Sequence, residues 1–196
     1  MQTREEMKKI VSWESEELIL VDENDVAVGT MSKSDSHDGD GVLHRAFSLF
    51  LFDDRGRLLL QQRAPSKRLW PMFWSNSVCS HPRNGETIAE AVERRAQDEL
   101  GLEALSAEFV YRFRYHARYA DLGSEHELCH VFLGRVPGQI EQNRSEIEAL
   151  RFIETGSLTD ELEQDGARYT PWFRMEWQRL NEDFGSVLGR YTSPAK

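Results

Sequence analysis

A disulfide framework, a membrane span and a basic face are all missing from this 196-residue sequence. Its two cysteines, Cys79 and Cys129, sit in a chain without secretory features, so reduced thiols are expected. The longest apolar run, Ala46 to Phe52, is interrupted by Ser48 and falls far short of the roughly 20 residues that cross a bilayer. Met1 to Glu17 is charged throughout and does not read as a secretory leader; a cytoplasmic protein that inserts in no membrane is expected. Acidic side chains number 34 against 24 lysines and arginines, a net charge of -10. That balance disfavours nucleic acid as a partner, because binding it relies on a cationic face that neutralises phosphates. Internal repeats, low-complexity tracts and linkers are absent too. The length suits one domain with a full core: an extension over residues 1–17, a single domain over 18–186 and a fraying tail over 187–196.

What is present reads as alternating strands and amphipathic segments. The extension carries Met7, Ile10, Val11 and Trp13 among its charges, compatible with a short helix packed at one edge or in a dimer contact; a monomer or a homodimer is expected. Leu18 to Asp22 and Val26 to Thr30 form a hairpin around Glu23-Asn24-Asp25. Ser34 to Gly41, rich in Ser, Asp and Gly, is expected to be a loop. His44 to Phe52 is a strong strand that turns through Asp53-Asp54-Arg55-Gly56 into Arg57 to Arg63. Further on, Ala107 to Ala117, Leu128 to Val136 and Glu148 to Glu154 read as strands. A short helix covers Ser157 to Gln164, and Thr170-Pro171-Trp172 opens a C-terminal helix with Pro in its first turn.

The stretch Trp74-Ser75-Asn76-Ser77-Val78-Cys79-Ser80-His81-Pro82 carries the chemistry. If Val78 to Ser80 is extended, Cys79 and His81 point to the same side, because side chains alternate along a strand. The helix that follows is well marked. Thr87 and Glu90 have capping-box spacing, Gly101 stands where a left-handed C-terminal residue is expected, and Ile88, Ala91, Val92 and Ala96 make an apolar stripe. Arg95 and Glu99 lie one turn apart, so they can address one site. In Glu125-His126-Glu127-Leu128-Cys129 an extended backbone puts Glu125, Glu127 and Cys129 on one face, where two carboxylates repel unless a metal or a proton lies between them.

The pattern from Glu86 through Arg94-Arg95-Ala96 to Asp98-Glu99-Leu100-Gly101-Leu102 resembles a Nudix box. Two positions depart from it: Arg95 stands where Glu is usual, and Ser80 where the box opens with Gly. Nudix hydrolases use helix carboxylates to hold divalent metals on a diphosphate, so a cation at 95 argues against pyrophosphate hydrolysis. Together with Ser124-Glu125-His126-Glu127-Leu128, the Trp74 to Pro82 stretch is similar to the type I isopentenyl-diphosphate delta-isomerases, from about Leu18 to Trp177. The resemblance implies an α/β (α+β) fold, a Nudix-type α/β/α sandwich with a mixed sheet and a C-terminal helix, and a catalytic domain over 18–186.

It also implies a site. His37, His44, His81, Glu125 and Glu127 match the family's metal ligands, a set suited to Mn²⁺, Zn²⁺ or Mg²⁺; His116, His126 and His130 do not match and are expected at the surface or behind the ligands. Cys79 and Glu127 match the acid–base pair, with Tyr115 hydrogen-bonded near Glu127. Trp177 matches the indole that faces a carbocation, an interaction worth about 2 kcal/mol when desolvated. Lys33, Arg63, Lys67 and Arg95 match the anion-binding positions, and Glu99 the residue that holds a substrate-bound Mg²⁺ with the backbone carbonyl of Cys79. The implied partner is a small isoprenoid diphosphate. Two rivals share parts of this pattern: a Nudix diphosphate hydrolase, and a non-catalytic diphosphate- or metal-binding protein.

Overall fold

The computed structural model describes residues 10–194. Its frame is strand β3 (His44–Phe52), whose side chains are buried on both faces of a mixed sheet. Residues Ala46, Phe50 and Phe52 join one core and Phe47, Leu49 and Leu51 the other, so the period-2 alternation of a strand divides two apolar layers. Along one flank β3 runs parallel to β8 (Gly123–Arg135), with His44 opposite Glu127 and Ala46 opposite Cys129. On the other it pairs antiparallel with the short β6 (Val78–Ser80), with Ser48 opposite Cys79. β8 also pairs antiparallel with β7 (Ala107–Tyr119), which sets Tyr115 beside Glu127. Four strands therefore bring His44, Cys79, Glu127 and Tyr115 together by register.

The hairpin β1 (Glu17–Val21) and β2 (Ala27–Ser32) extends one side. β4 (Leu58–Arg63), β5 (Trp74–Ser75) and β9 (Ile147–Ile153) extend the other. Between β2 and β3 the chain makes α1 (Lys33–His37), so the stretch expected as loop from Ser34 opens with a turn of helix. Ser32 caps it by accepting from the Asp35 N–H, and burial of His37 fixes it. The helix α2 (Ile88–Leu100) has both halves of the expected capping box, and Gly101 ends it in the left-handed region at φ 68°. Its Ala91, Val92, Ala96 and Leu100 cover one sheet face. Leu158 of α3 (Thr155–Asp165) and Trp172, Phe173, Trp177 and Leu180 of α4 (Pro171–Asp183) cover the other, completing an α/β/α sandwich.

Three expectations need correction. β7 and β8 run further than expected, leaving only residues 120–122 between them; Glu125 and Glu127 are strand residues with a full backbone ladder to β7. His130 is not a surface residue: it is buried, its Nε2 3.0 Å from Asp25 Oδ2, whereas His116 is exposed and His126 half-buried. Residues 187–192 are not a fraying tail but part of α5 (Gly185–Thr192), with Leu188 in the core. The end of α5 seats on the β3–β4 turn so closely that a Cβ on Gly56, at φ +82°, would lie 2.1 Å from the Thr192 carbonyl oxygen. Leu188→Ala is accordingly expected to lower stability by about 2–3 kcal/mol in a urea melt, within the range for truncating a buried leucine. A loose tail would give no change. The helix expected in the N-terminal extension falls partly outside the described residues, and from Ile10 to Glu16 the chain is not helical.

Candidate active site and metal centre

Three histidines and two glutamates meet at the end of the sheet just described. One ligand atom from each of His37, His44, His81, Glu125 and Glu127 lies within 4.8 Å of all the others. The histidine ring centroids are 4.8 to 5.4 Å apart. His37 Nδ1 contacts the Lys33 carbonyl oxygen at 2.6 Å and His44 Nδ1 the Val42 carbonyl oxygen at 2.7 Å. A carbonyl oxygen can only accept, so each Nδ1 carries a hydrogen, and in the neutral ring it is the Nε2 lone pair that faces the cluster, the tautomer a metal needs.

The electrostatics point the same way. His37 Nε2, His44 Nε2 and Glu125 Oε2 are buried without a hydrogen bond, although His37 Nε2 and Glu125 Oε2 approach to 2.7 Å. His81 Nε2 lies 2.9 Å from Glu127 Oε1, and the Tyr115 hydroxyl donates to Glu127 Oε2 at 2.6 Å. Burial, with His44 and His37 close by, pushes the His81 imidazole well below its ordinary range. Burial acts to raise Glu125, but the His37 imidazole outweighs it and holds the carboxyl below its ordinary range. Packed imidazole lone pairs and ionised carboxylates with orphaned buried oxygens fit a divalent cation.

The same cavity reaches the sulfur. His37, His81, Glu125, Glu127, Tyr115, Cys79, Trp172, Arg63, Lys33, Lys67 and Arg95 all line it. Burial pushes the Cys79 thiol up to about 12, against the opposing pull of Arg63, whose Nη1 is 3.8 Å from Sγ. The thiol is therefore protonated at neutral pH. Burial also acts to raise Glu127, yet the attraction of His44, whose Nε2 is 3.6 Å from Oε1, followed by the bond from Tyr115, holds it below the ordinary carboxylate range. One proton and one vacant carboxylate thus face a single chamber.

The cationic end is equally compact. Arg63 donates from Nε to the Trp70 carbonyl and from Nη2 to the Leu69 carbonyl, both at 3.0 Å. Lys33 Nζ donates to Ser12 Oγ at 2.6 Å. Arg95 donates to Glu99 Oε1 from Nε at 2.9 Å and Nη2 at 2.6 Å, and to the Val11 carbonyl at 2.8 Å. Glu99 is thus bonded to Arg95, which is itself one of the lining residues.

One expected position differs from its surroundings as read in the sequence. Trp177 packs behind the chamber on Phe50 and Phe173, with ring centroids 6.5 Å away in both cases. The indole in the cavity wall is Trp172, with the Arg63 guanidinium 5.3 Å from its ring centre. Sequence reasoning also missed Glu146, a buried carboxylate that binds Lys67 and, at 2.9 Å, Arg95. Nothing in the motif spacing marks it; its place at the mouth of β9 was the available signal.

Comparison with known proteins accords with this geometry. The NUDIX domain family matches residues 42–173. An isopentenyl-diphosphate Delta-isomerase 1 of Photorhabdus laumondii is 45% identical over 164 residues, 83% of this chain and 93% of that protein. An isopentenyl-diphosphate Delta-isomerase of Escherichia coli is 37% identical over 180 residues, 91% of this chain and 98% of that protein. Among solved structures, a Deinococcus radiodurans protein superposes with a TM-score of 0.65 at 24% identity, covering 90% of this chain and 99% of that one. A MutT protein of Methanosarcina mazei gives 0.59 at 14% identity, covering 72% and 95%; these two likenesses concern the fold alone. The identities to whole relatives, with the His/Glu cluster and Cys79 in one cavity, place this chain in the isopentenyl-diphosphate Delta-isomerase family of Nudix proteins.

Proposed function

We propose that the chain converts isopentenyl diphosphate into dimethylallyl diphosphate by a 1,3-proton shift. The observation that carries this reading is that Cys79 and Glu127 open onto one cavity that is also lined by Lys33, Arg63, Lys67 and Arg95. An alkene must gain a proton at its terminal carbon, pass through a tertiary carbocation-like species and lose a proton from the neighbouring methylene. Thiol and carboxyl act on these two carbons, one giving while the other takes. The pair holds one proton between them, the count a shift needs; in the reverse direction each takes the opposite part.

The remaining residues have assigned tasks. Tyr115 orients the Glu127 carboxyl through its 2.6 Å hydrogen bond. The indole of Trp172 in the wall and that of Trp177 behind it offer aromatic faces that stabilise positive charge and donate no reactive lone pair. Burial excludes water, which would trap the cation as an alcohol. Lys33, Arg63, Lys67 and Arg95 hold the diphosphate. His37, His44, His81, Glu125 and Glu127 would bind Mn²⁺, Zn²⁺ or Mg²⁺, and Glu99 with the Cys79 carbonyl a substrate-bound Mg²⁺; these ions supply positive charge beside the acid–base pair and the head group.

The hydrolase reading is disfavoured by Arg95, a buried cation where that chemistry needs a metal-binding carboxylate. The test is incubation with isopentenyl diphosphate and Mg²⁺ in heavy water. Deuterium is expected in the allylic diphosphate; free phosphate or pyrophosphate without isomer would support the hydrolase, and neither product a binding protein.

A further inference from the structure

The cations at the head-group end already have oxygen partners within the chain, and one partner differs from the rest. Lys33 has the Ser12 hydroxyl, Arg63 has two backbone carbonyls, and Arg95 has Glu99 and the Val11 carbonyl. Glu146 alone, among the described residues, serves two of them: its single oxygen Oε2 contacts both Lys67 Nζ and, at 2.9 Å, Arg95 Nη2. An oxygen anion between an ammonium and a guanidinium has the geometry of a bridging phosphoryl oxygen. Burial would raise the Glu146 carboxyl, but Lys67 and then Arg95 outweigh it and hold it down at about 2, so it is fully ionised at neutral pH.

The loop carrying this carboxylate is tied on both sides. The Asn143 N–H donates to the Glu99 carbonyl and the Ala64 N–H to the Glu146 carbonyl, both at 2.9 Å. Glu146 therefore arrives at the site on a fixed backbone, beside the end of β4, where Arg63 pairs with Ile147.

We propose that Glu146 is a specificity-determining residue that mimics a phosphoryl group, so that only a ligand bringing two linked phosphoryl groups competes well for Lys67 and Arg95. A monophosphate that reaches these cations displaces one carboxylate contact for each contact it makes. A diphosphate engages them while its second phosphoryl group gains Lys33 and Arg63, which Glu146 does not hold. The same competition hastens departure of the diphosphate product, because Glu146 returns to its two cations as the head group leaves. This inference rests on the head-group assignment of the preceding section.

The test uses inorganic pyrophosphate and inorganic phosphate as probes, with binding followed by calorimetry on the whole chain and on Glu146→Gln. In the unsubstituted protein pyrophosphate should bind far more tightly than phosphate. In E146Q phosphate is expected to tighten by about tenfold or more, the ratio of the two affinities to shrink, and turnover of isopentenyl diphosphate to show a lowered KM with a lowered kcat. If E146Q weakens both probes alike and raises KM, Glu146 is only a support and the proposal falls; unchanged probe affinities overturn it as well. Should E146Q not fold, Glu146→Asp carries the test, since a side chain one methylene shorter withdraws the oxygen from the point where it meets both Lys67 and Arg95, and the same narrowing of the ratio is expected. Probe binding is independent of turnover, so a protein that binds pyrophosphate selectively yet forms no isomer would defeat the functional reading and leave this one standing.

Discussion

Cys79→Ala is expected to lower kcat for isomerisation by about 10²- to 10⁴-fold, the range for losing a positioned acid or base, while KM stays within a few-fold. The substitution removes one sulfur atom and leaves the β6 backbone in place, since the pairing of Cys79 with Ser48 is made by main-chain atoms. Lys33, Lys67 and Arg95 are untouched, so the head group should be held as before. Arg63 keeps its two carbonyl acceptors and loses only the weak 3.8 Å contact to sulfur. The measurement is steady-state turnover alongside pyrophosphate affinity. A variant that turns over at close to the original rate would remove the thiol from the reaction, and one that loses pyrophosphate binding in proportion would make it a structural residue.

Much of this site could be read before any coordinates because its signals are local. Thr87, Glu90 and Gly101 mark the ends of α2 by hydrogen-bonding and backbone rules that operate within one turn, and they appear as expected. The alternation of Glu125, Glu127 and Cys129 follows from strand geometry alone, and the structure turns these residues to the site and its adjoining core. The five cluster residues lie on α1, β3, the end of β6 and β8, and their convergence was legible only through the family resemblance. No periodicity connects residue 37 to residue 127.

What stayed hidden depends on contacts distant in sequence. Trp172 and Trp177 are equivalent as aromatic residues on an amphipathic helix; only the docking of α4 decides which indole reaches the cavity. Leu188 reads as a terminal residue until α5 folds back onto Gly56 and Arg135, whose guanidinium donates to the Arg190 carbonyl at 2.8 Å and the Ser193 carbonyl at 3.0 Å. Glu146 is an ordinary loop glutamate until the loop is pinned beside Lys67. Charge alone gives no clue, since 30% of the residues of this chain are acidic or basic.

Glu176→Gln is expected to make the protein more stable at neutral pH, by about 1–3 kcal/mol in urea melts. Glu176 is fully buried on α4, and no cation pairs with it among the described residues. Its side chain accepts from Cys129 Sγ at 3.4 Å, its backbone carbonyl accepts from the Tyr111 hydroxyl at 3.3 Å, and Oε2 has no partner. Burial, only partly offset by hydrogen bonds from Ser48 and Cys129, raises the carboxyl from 4.5 to about 8. Below pH 4.5 the group is protonated in both folded and unfolded chains, and its contribution is complete. As pH rises towards 8 the unfolded chain ionises while the folded one keeps its proton, so stability is lost at about 1.4 kcal/mol per pH unit. At pH 7 that loss amounts to about 3 kcal/mol, of which the poorer hydrogen bonding of a buried amide would reclaim a part. Glutamine does not titrate, so the gain should shrink as the melts are repeated towards pH 4.5, and near that pH E176Q should be no more stable than the unsubstituted chain, or less so by the amide's poorer hydrogen bonding; the same difference at every pH would mean that packing, not ionisation, sets it. Glu176 immediately precedes Trp177 and lies with Cys129 and Ser48, which stands opposite Cys79, so a stabilised variant with slower turnover would show that the acid is retained for the reaction chamber at the expense of the fold.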